Sequence, residues 1–252
     1  MLRRLIAMAV VMLLVMPIHM MASAANIQLS DAEFEESVAQ IMKDYWEDPE
    51  AAEDSLKKIG AYLDCEPVIV EHFASANPAV RGTNPSDYTF YVGSIRRSNS
   101  NLRYLQWHLK ANSNEWFEGP LDYVSMEWDT AYADYYDSSG DGVMVTVAGR
   151  NDGIVMFNLE DEKLGNGDSC YGTVRVNPIS VGTMEFGSKF VHTYTGIAIT
   201  GVSASWSFGP SAELAASGEM SLGLAYTFGF SVSLGSSTQS WNLWADNAVT
   251  FD

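Results

Sequence analysis

From Met220 to Leu234 the chain alternates without a break. Met220, Leu222, Leu224, Tyr226, Phe228, Phe230, Val232 and Leu234 fall on one side, and only Ser, Gly, Ala and Thr fall on the other. A period of two is that of a β-strand, here with one bulky apolar face and one small uncharged face. Such a strand would run about 50 Å at ~3.3 Å per residue, where ordinary strands reach roughly 17–20 Å. A shorter run with the same alternation, Val202 to Phe208, precedes it, and Gly209 to Gly218 supplies a turn between them. The two runs read as one long amphipathic hairpin. From Thr193 to Asp252 there is no Lys or Arg, and only Glu213, Glu219, Asp246 and Asp252 carry charge. Trp241, Leu243, Val249 and Phe251 add a last strand. Two environments suit the hairpin. One is a sheet packed on the body of the protein with its Ser/Gly/Ala face outward. The other is a membrane hairpin with Leu222, Leu224, Tyr226, Phe228, Phe230 and Val232 toward lipid.

The Ser/Thr/Gly-rich alternation of 220–234 resembles that of the membrane hairpins of β-pore-forming toxins such as the aerolysin-like group, and the resemblance is confined to that pattern. It implies a hairpin over 195–235 that inserts after oligomerisation.

The N-terminus carries an export signature: Arg3 and Arg4, an apolar run from Leu5 to Met16, and small residues at Ala22-Ser23-Ala24. This pattern predicts a signal peptide over 1–24 and a mature chain beginning at Ala25, released outside the cell. Two positive charges and no negative ones leave with it, taking the formal net charge from −18 to −20. A surface this acidic repels phosphate backbones, so nucleic acid is not an expected partner. Cys65 and Cys170 are the only cysteines. In an oxidising compartment they are expected to form one disulfide closing a loop of about 100 residues.

The mature chain divides in composition. Ser30-Asp31-Ala32-Glu33 is a capping box, followed at helical spacing by Phe34, Val38, Ile41, Met42 and Tyr45. Asp48-Pro49 opens a second helix carrying Ala52, Leu56 and Ile59. The other faces of this helical hairpin hold Glu35, Glu36, Asp44, Glu47, Glu50, Glu53 and Asp54, which read as a solvated surface or as one side of a removable shield. Beyond Cys65 the period changes. Strands are expected at 68–73, 88–92, 102–109, 123–128, 143–148, 154–159 and 173–176, with a hairpin turn at Asn151-Asp152-Gly153. No βαβ rhythm is present, so the sheets should be antiparallel. The expected fold is mainly β (α+β): an antiparallel β-sandwich-like body with an N-terminal helical hairpin and the long C-terminal β-hairpin. The divisions are 25–64, 65–188 and 189–252, the last two belonging to one domain or two, and 177–187 is either a link between them or another edge.

Three sets of residues carry candidate chemistry. Trp107, Trp116, Trp128, Tyr132, Tyr135 and Tyr136 lie close together among acidic residues, a composition suited to stacking on sugar rings, although aromatics at β spacing also build cores. The acidic residues among them offer a chance carboxylate pair for glycoside hydrolysis. Asp137, Ser139 and Asp141 match the first half of an EF-hand calcium loop, but Ala148 stands where the bidentate Glu belongs, and a hairpin turn explains the same residues. Calcium is the one candidate ion and no other cofactor is expected. No phosphate loop, His-containing metal cluster or Ser-His-Asp motif is present. The reading is a secreted, acidic, non-enzymatic β protein that binds an extracellular protein or glycan. The alternatives are the membrane-active hairpin and, third, a secreted hydrolase.

Overall fold

The computed structural model describes residues 29–70, 87–112, 122–160 and 163–194, then the strand segments 199–204, 207–210, 226–227, 230–234 and 239–252; between 193 and 242 the description is of the backbone. The expected signal peptide, Trp116, Leu222, Leu224 and Phe228 lie outside the described residues.

Helix α1 (Asp31–Met42) begins where the capping box places it. Ser30 Oγ and the Ser30 backbone N–H meet Glu33 in the reciprocal pattern. Helix α2 (Pro49–Lys58) starts behind Asp48, whose carboxylate accepts from Ala51 N at 3.0 Å. The strands that follow are β1 (Ala61–Leu63), β2 (Val68–Val70), β3 (Tyr88–Arg97), β4 (Arg103–Ala111), β5 (Asp122–Trp128), β6 (Ala133–Gly140), β7 (Val145–Asn151), β8 (Ile154–Leu159), β9 (Ser169–Pro178), β10 (Gly182–Tyr194), β11 (Ile199–Ala204), β12 (Ser207–Pro210), β13 (Tyr226–Thr227), β14 (Phe230–Leu234) and β15 (Gln239–Phe251). All pairings are antiparallel.

Two sheets face each other, one ordered β1-β3-β4-β9-β6 with β2 also on β3, the other β15-β10-β5-β8-β7. Their inner faces supply one core: Phe90, Val92, Leu105, Trp107, Leu109, Val174 and Val176 from the first, and Val124, Met126, Trp128, Phe157, Phe186, Phe190 and Leu243 from the second. The packing is close enough that a Cβ on Gly172 would lie 2.5 Å from Trp107 Nε1, so that position admits only glycine. His192 and Asp122 are both fully buried and pair at 2.7 Å, which gives each buried polar side chain a hydrogen-bond partner.

The first sheet is also covered on its far side. Phe34, Val38, Met42, Tyr45 and Leu56 of the helical hairpin pack on Tyr91, Ile95 and Tyr104. Each such side chain contributes roughly 1.5–3 kcal/mol by leaving water. Three layers result: helices, a sheet buried on both faces, and a second sheet. No helix among the described residues is long and apolar enough to cross a membrane.

The turn at 151–153 forms as expected, Asn151 pairing with Ile154 and Gly153 taking φ 64°. Three strands lie outside the expected runs. The short β1 falls in the segment assigned to the helical hairpin. The segment 177–187, expected as a link or another edge, contains the start of β10, which lies inside the second sheet between β15 and β5. Ala133–Gly140, whose last residues from Asp137 match a turn or the start of a calcium loop, is the edge strand β6.

The disulfide expectation is corrected: both thiols are free. Register gives the reason. Cys170 pairs with Leu109 and Leu109 with Phe90, whereas Asp64 bonds to Ser94 and holds Cys65 at that level. Four residues along β3 are about 13 Å and two strand spacings roughly 9–10 Å, while a disulfide requires Cα atoms within about 7 Å. Burial pushes the Cys65 thiol up to about 11 and raises Cys170 well above the ordinary thiol value. Titration of the unreduced protein should therefore find two thiols per chain in denaturant, with Cys170 silent and Cys65 slow in the native state. Finding none in denaturant would restore the bridge.

Candidate functional site

The surface richest in chemistry lies where α1 crosses the β6 edge of the first sheet. Arg175 on β9 organises it. Its guanidinium forks onto both carboxylate oxygens of Asp137, and its Nη1 lies 2.8 Å from Asp31 Oδ2. Arg97 holds the other oxygen of Asp31 at 3.0 Å. Arg175 Nε also stands 3.1 Å from Glu35 Oε1, but its N–H is directed at Asp137. Glu35 is thereby drawn in: expected on a solvated face, it is only 6 % exposed. Its Oε2 accepts from Ser139 Oγ at 2.5 Å, while Oε1 has no hydrogen-bond partner. Burial raises the Glu35 pKa, opposed by the Ser139 bond and the Arg175 charge.

Beside this network opens a cleft of about 420 Å³, walled by Glu35, Glu36, Lys43, Asp141, Tyr171 and His108 among others. Asp141 Oδ1 accepts from the backbone N–H groups of Val143, Met144 and Val145 at 2.7–2.9 Å, which fixes the turn into β7. Its Oδ2 is buried and has no partner. His108 is sandwiched between Tyr91, 4.6 Å away, and Tyr171, 5.7 Å away, and burial lowers its pKa to about 3, so it is neutral. The Tyr171 hydroxyl is pushed up to about 12 by burial and by the charges of Asp141, Glu35 and Glu36.

The sequence candidates distribute unevenly around this site. Trp107 and Trp128 are core residues, 0 % and 1 % exposed, and offer no face to a sugar. Trp128 instead donates to Ala133 O at 3.0 Å. Tyr132 packs on Gly182. Tyr135 stacks on Trp128 and lies under Arg150, 4.3 Å from it. Tyr136 sits at the bulge of β6, is 55 % exposed, and lies 5.4 Å from Arg175. Of the suggested calcium ligands, Asp137 and Ser139 belong to an extended strand rather than a loop, paired with Arg175 and Glu35 respectively. Among the described residues, no group of three or more His, Cys, Asp or Glu is arranged to hold a metal ion. Sequence reasoning missed Glu35 and Arg175. Glu35 directly follows Phe34 and sits four positions before the buried Ala39, at the margin of the apolar stripe of α1, and that was the available signal.

No protein-family model and no curated protein matches this chain. Among solved structures it is similar to the sixth cohesin of Acetivibrio cellulolyticus scaffoldin B, at 12% identity and TM-score 0.29 over 36% of this chain and 75% of that one. A type I cohesin of Clostridium thermocellum, solved with its dockerin, gives 9% identity and TM-score 0.26 over 35% and 71%. The C-terminal domain of the Streptococcus agalactiae AgI/II polypeptide BspA gives 8% and 0.24 over 41% and 53%.

A second buried carboxylate lies on β5. Glu127 is 1 % exposed, accepts from Ser125 Oγ at 2.8 Å through Oε1, and has no partner at Oε2. Burial raises its pKa to about 7, against the opposing pull of Ser125 and Lys189. Between its ordinary value near 4.5 and about 7 the folded state holds a proton that the unfolded chain has released, so stability falls as pH rises through that window. His108 has the opposite sign: the stability tied to its neutral form is complete above 6.5 and is lost as pH falls toward 3. Glu127→Gln should accordingly raise the thermal midpoint at pH 7.5, and its advantage over the wild type should close toward pH 4.5. An unchanged midpoint at pH 7.5 would contradict the assignment.

Proposed function

We propose that this chain is an exported, non-enzymatic binding protein whose partner is an extracellular protein, docked on the β6 edge and the acidic cleft beside it. One observation carries this reading: beside the β6 edge opens a cleft of about 420 Å³ that brings Glu35, Glu36 and Asp141 together with Tyr171 on one face. Carboxylates gathered beside an aromatic ring give that face a charge and a shape that a basic partner surface complements. Exposed Tyr136 adds an aromatic contact of the kind enriched in binding interfaces, next to the same network. The double variant Glu36→Lys/Tyr136→Ser should keep the thermal midpoint of the wild type and lose its partner from extracellular fluid. Retained capture, or an oligosaccharide competing for the site, would redirect the reading to another face or to a glycan.

A second reading, a membrane-active arm, is favoured by the register of the C-terminal strands. β10 and β15 pair continuously from Gly182↔Phe251 to Tyr194↔Gln239, and pairing resumes at Ile199↔Leu234 after four residues on each arm. β5 leaves β10 at Val191, and beyond Tyr194, among the described residues, the arms pair with each other. The ladder then continues through Val202↔Val232 and Ala204↔Phe230 to Ser207↔Thr227, with apolar residues opposite apolar and Ser opposite Ser or Thr. Parity changes on the β15 arm alone, from odd-numbered Leu243, Ala245, Val249 and Phe251 to the even-numbered apolar row of 226–234, because the register shifts between Ile199 and Gly201; Met184, Phe186 and Phe190 of β10 and Val202 and Ala204 of β11 are even on both sides of that shift. The alternating run 220–234 is long enough in sequence for a transmembrane strand, which needs about 9–11 residues. On this reading the protein releases dye from phosphatidylcholine–cholesterol vesicles, and Phe230→Arg lowers release at least about tenfold by placing a charge in the bilayer. Absence of release by the wild type removes it.

A further inference from the structure

We infer that the open edge of β7 is a strand-addition site for an extended acidic segment of a protein, which sets a carboxylate on Arg150 and an aliphatic side chain in the cavity beside Gly149. This edge belongs to the second sheet, and the inference stands apart from the reading of the cleft. β7 ends that sheet and, among the described residues, pairs only with β8. Every residue from Thr146 to Asn151 is exposed, which leaves the edge open to solvent. Register gives the direction of its backbone groups. Asn151↔Ile154 closes a two-residue turn, and the closing pair of such a hairpin exchanges both of its bonds. Pairs alternate along an antiparallel ladder, so Arg150, opposite Val155, turns its N–H and C=O away from β8. Native edges are commonly blocked by proline, by several charges or by a covering segment. β7 has one charge and no proline.

Two features beside the edge select the partner. Among the described residues, Arg96 and Arg103 meet Asp64, and Arg97 and Arg175 meet Asp31, whereas no carboxylate meets Arg150. It lies instead 4.3 Å over the Tyr135 ring, which is itself stacked on Trp128. The guanidinium is thus held in place and exposed, and the group its planar fork fits is a carboxylate. The second feature is a cavity of about 500 Å³ lined by Tyr123, Ile154 and Met156, with Gly149 beside it. Gly149 pairs with Met156, and a Cβ on it would meet nothing within 4 Å. Arg150 pairs with Val155 of the core face, so the two features occupy neighbouring positions on opposite faces, the alternation of a β-strand. An incoming strand with its acidic residue opposite Arg150 carries the next side chain over the cavity. A second copy of this chain fits less well, because two chains of net charge −18 repel and the bulge between Val147 and Gly149 breaks the register that self-pairing needs.

Backbone-amide NMR of the full exported protein, titrated with the capped peptide acetyl-Thr-Glu-Leu-Val-Thr-amide, tests the assignment. Amide shifts should concentrate on residues 146–151. The peptide should bind at least about tenfold more tightly than the same peptide with Lys in place of Glu, the effect of a charge-assisted hydrogen bond, although net charge alone favours the lysine peptide. N-methylation of the Glu amide, which removes the donor aimed at the Arg150 carbonyl, should also weaken binding about tenfold. Arg150→Gln should weaken the Glu peptide by a similar factor, with the thermal midpoint confirming the fold. Equal or tighter binding of the lysine peptide means general attraction to an acidic surface and overturns the proposal. Undiminished binding of the N-methyl peptide, shifts away from 146–151, or absence of binding by the Glu peptide also overturns it.

Discussion

The structure depends on one sheet being buried on both faces. β3 and β4 send Phe90, Val92, Leu105, Trp107 and Leu109 into the sandwich and Tyr91, Ile95 and Tyr104 under the helices. A sheet so enclosed exposes its polar groups only at its edges. The β2 side is adjoined by β15 and the β1 end carries Asp64 with Arg96 and Arg103, while the β6 edge carries Asp137 with Arg175. The helical hairpin is held from below by Phe34, Val38, Met42 and Leu56, and this fixes the line along which α1 meets β6. The cleft is the space left where a cylinder crosses a twisted sheet edge.

Arg175 makes that crossing electrostatically tolerable. It stands among Asp31, Glu35 and Asp137, and no one of these could be brought so close to the others without it. Its planar fork is spent on Asp137, which leaves Glu35 neutralised in part and incompletely hydrogen-bonded. A group in that condition either gains a proton or gains a partner. Rigid elements hold both wall carboxylates: Glu35 on a capped helix, and Asp141 in a turn fixed by three amides. The site is therefore formed before any ligand arrives.

Much of this was legible locally. The capping box at Ser30, the proline after Asp48, the turn at Asn151-Asp152-Gly153 and the alternation of 202–208 against 220–234 all specify backbone through neighbours in sequence. β10 escaped notice because Gly182, Gly187 and Ser188 interrupt its apolar run, although Met184, Phe186 and Phe190 keep the period of two. β6 escaped because Asp134, Asp137, Ser138, Ser139 and Gly140 have the composition of a turn. They form a strand because β9 offers a ladder and Arg175 offers a counter-charge.

The amino-acid order alone specifies the class of structure: helices ahead of antiparallel strands, an acidic surface, and a C-terminal hairpin paired in the expected sense. Those properties come from period, capping and charge, which act over a few residues. It takes the packed fold to bury Glu35 and make Trp107 unavailable, to hold Cys65 and Cys170 too far apart to join, and to bring Asp141 into a cleft with a residue more than a hundred positions away. Each of these depends on strand order and register, and pairing between distant segments is set by the fit of whole faces rather than by any local run of residues.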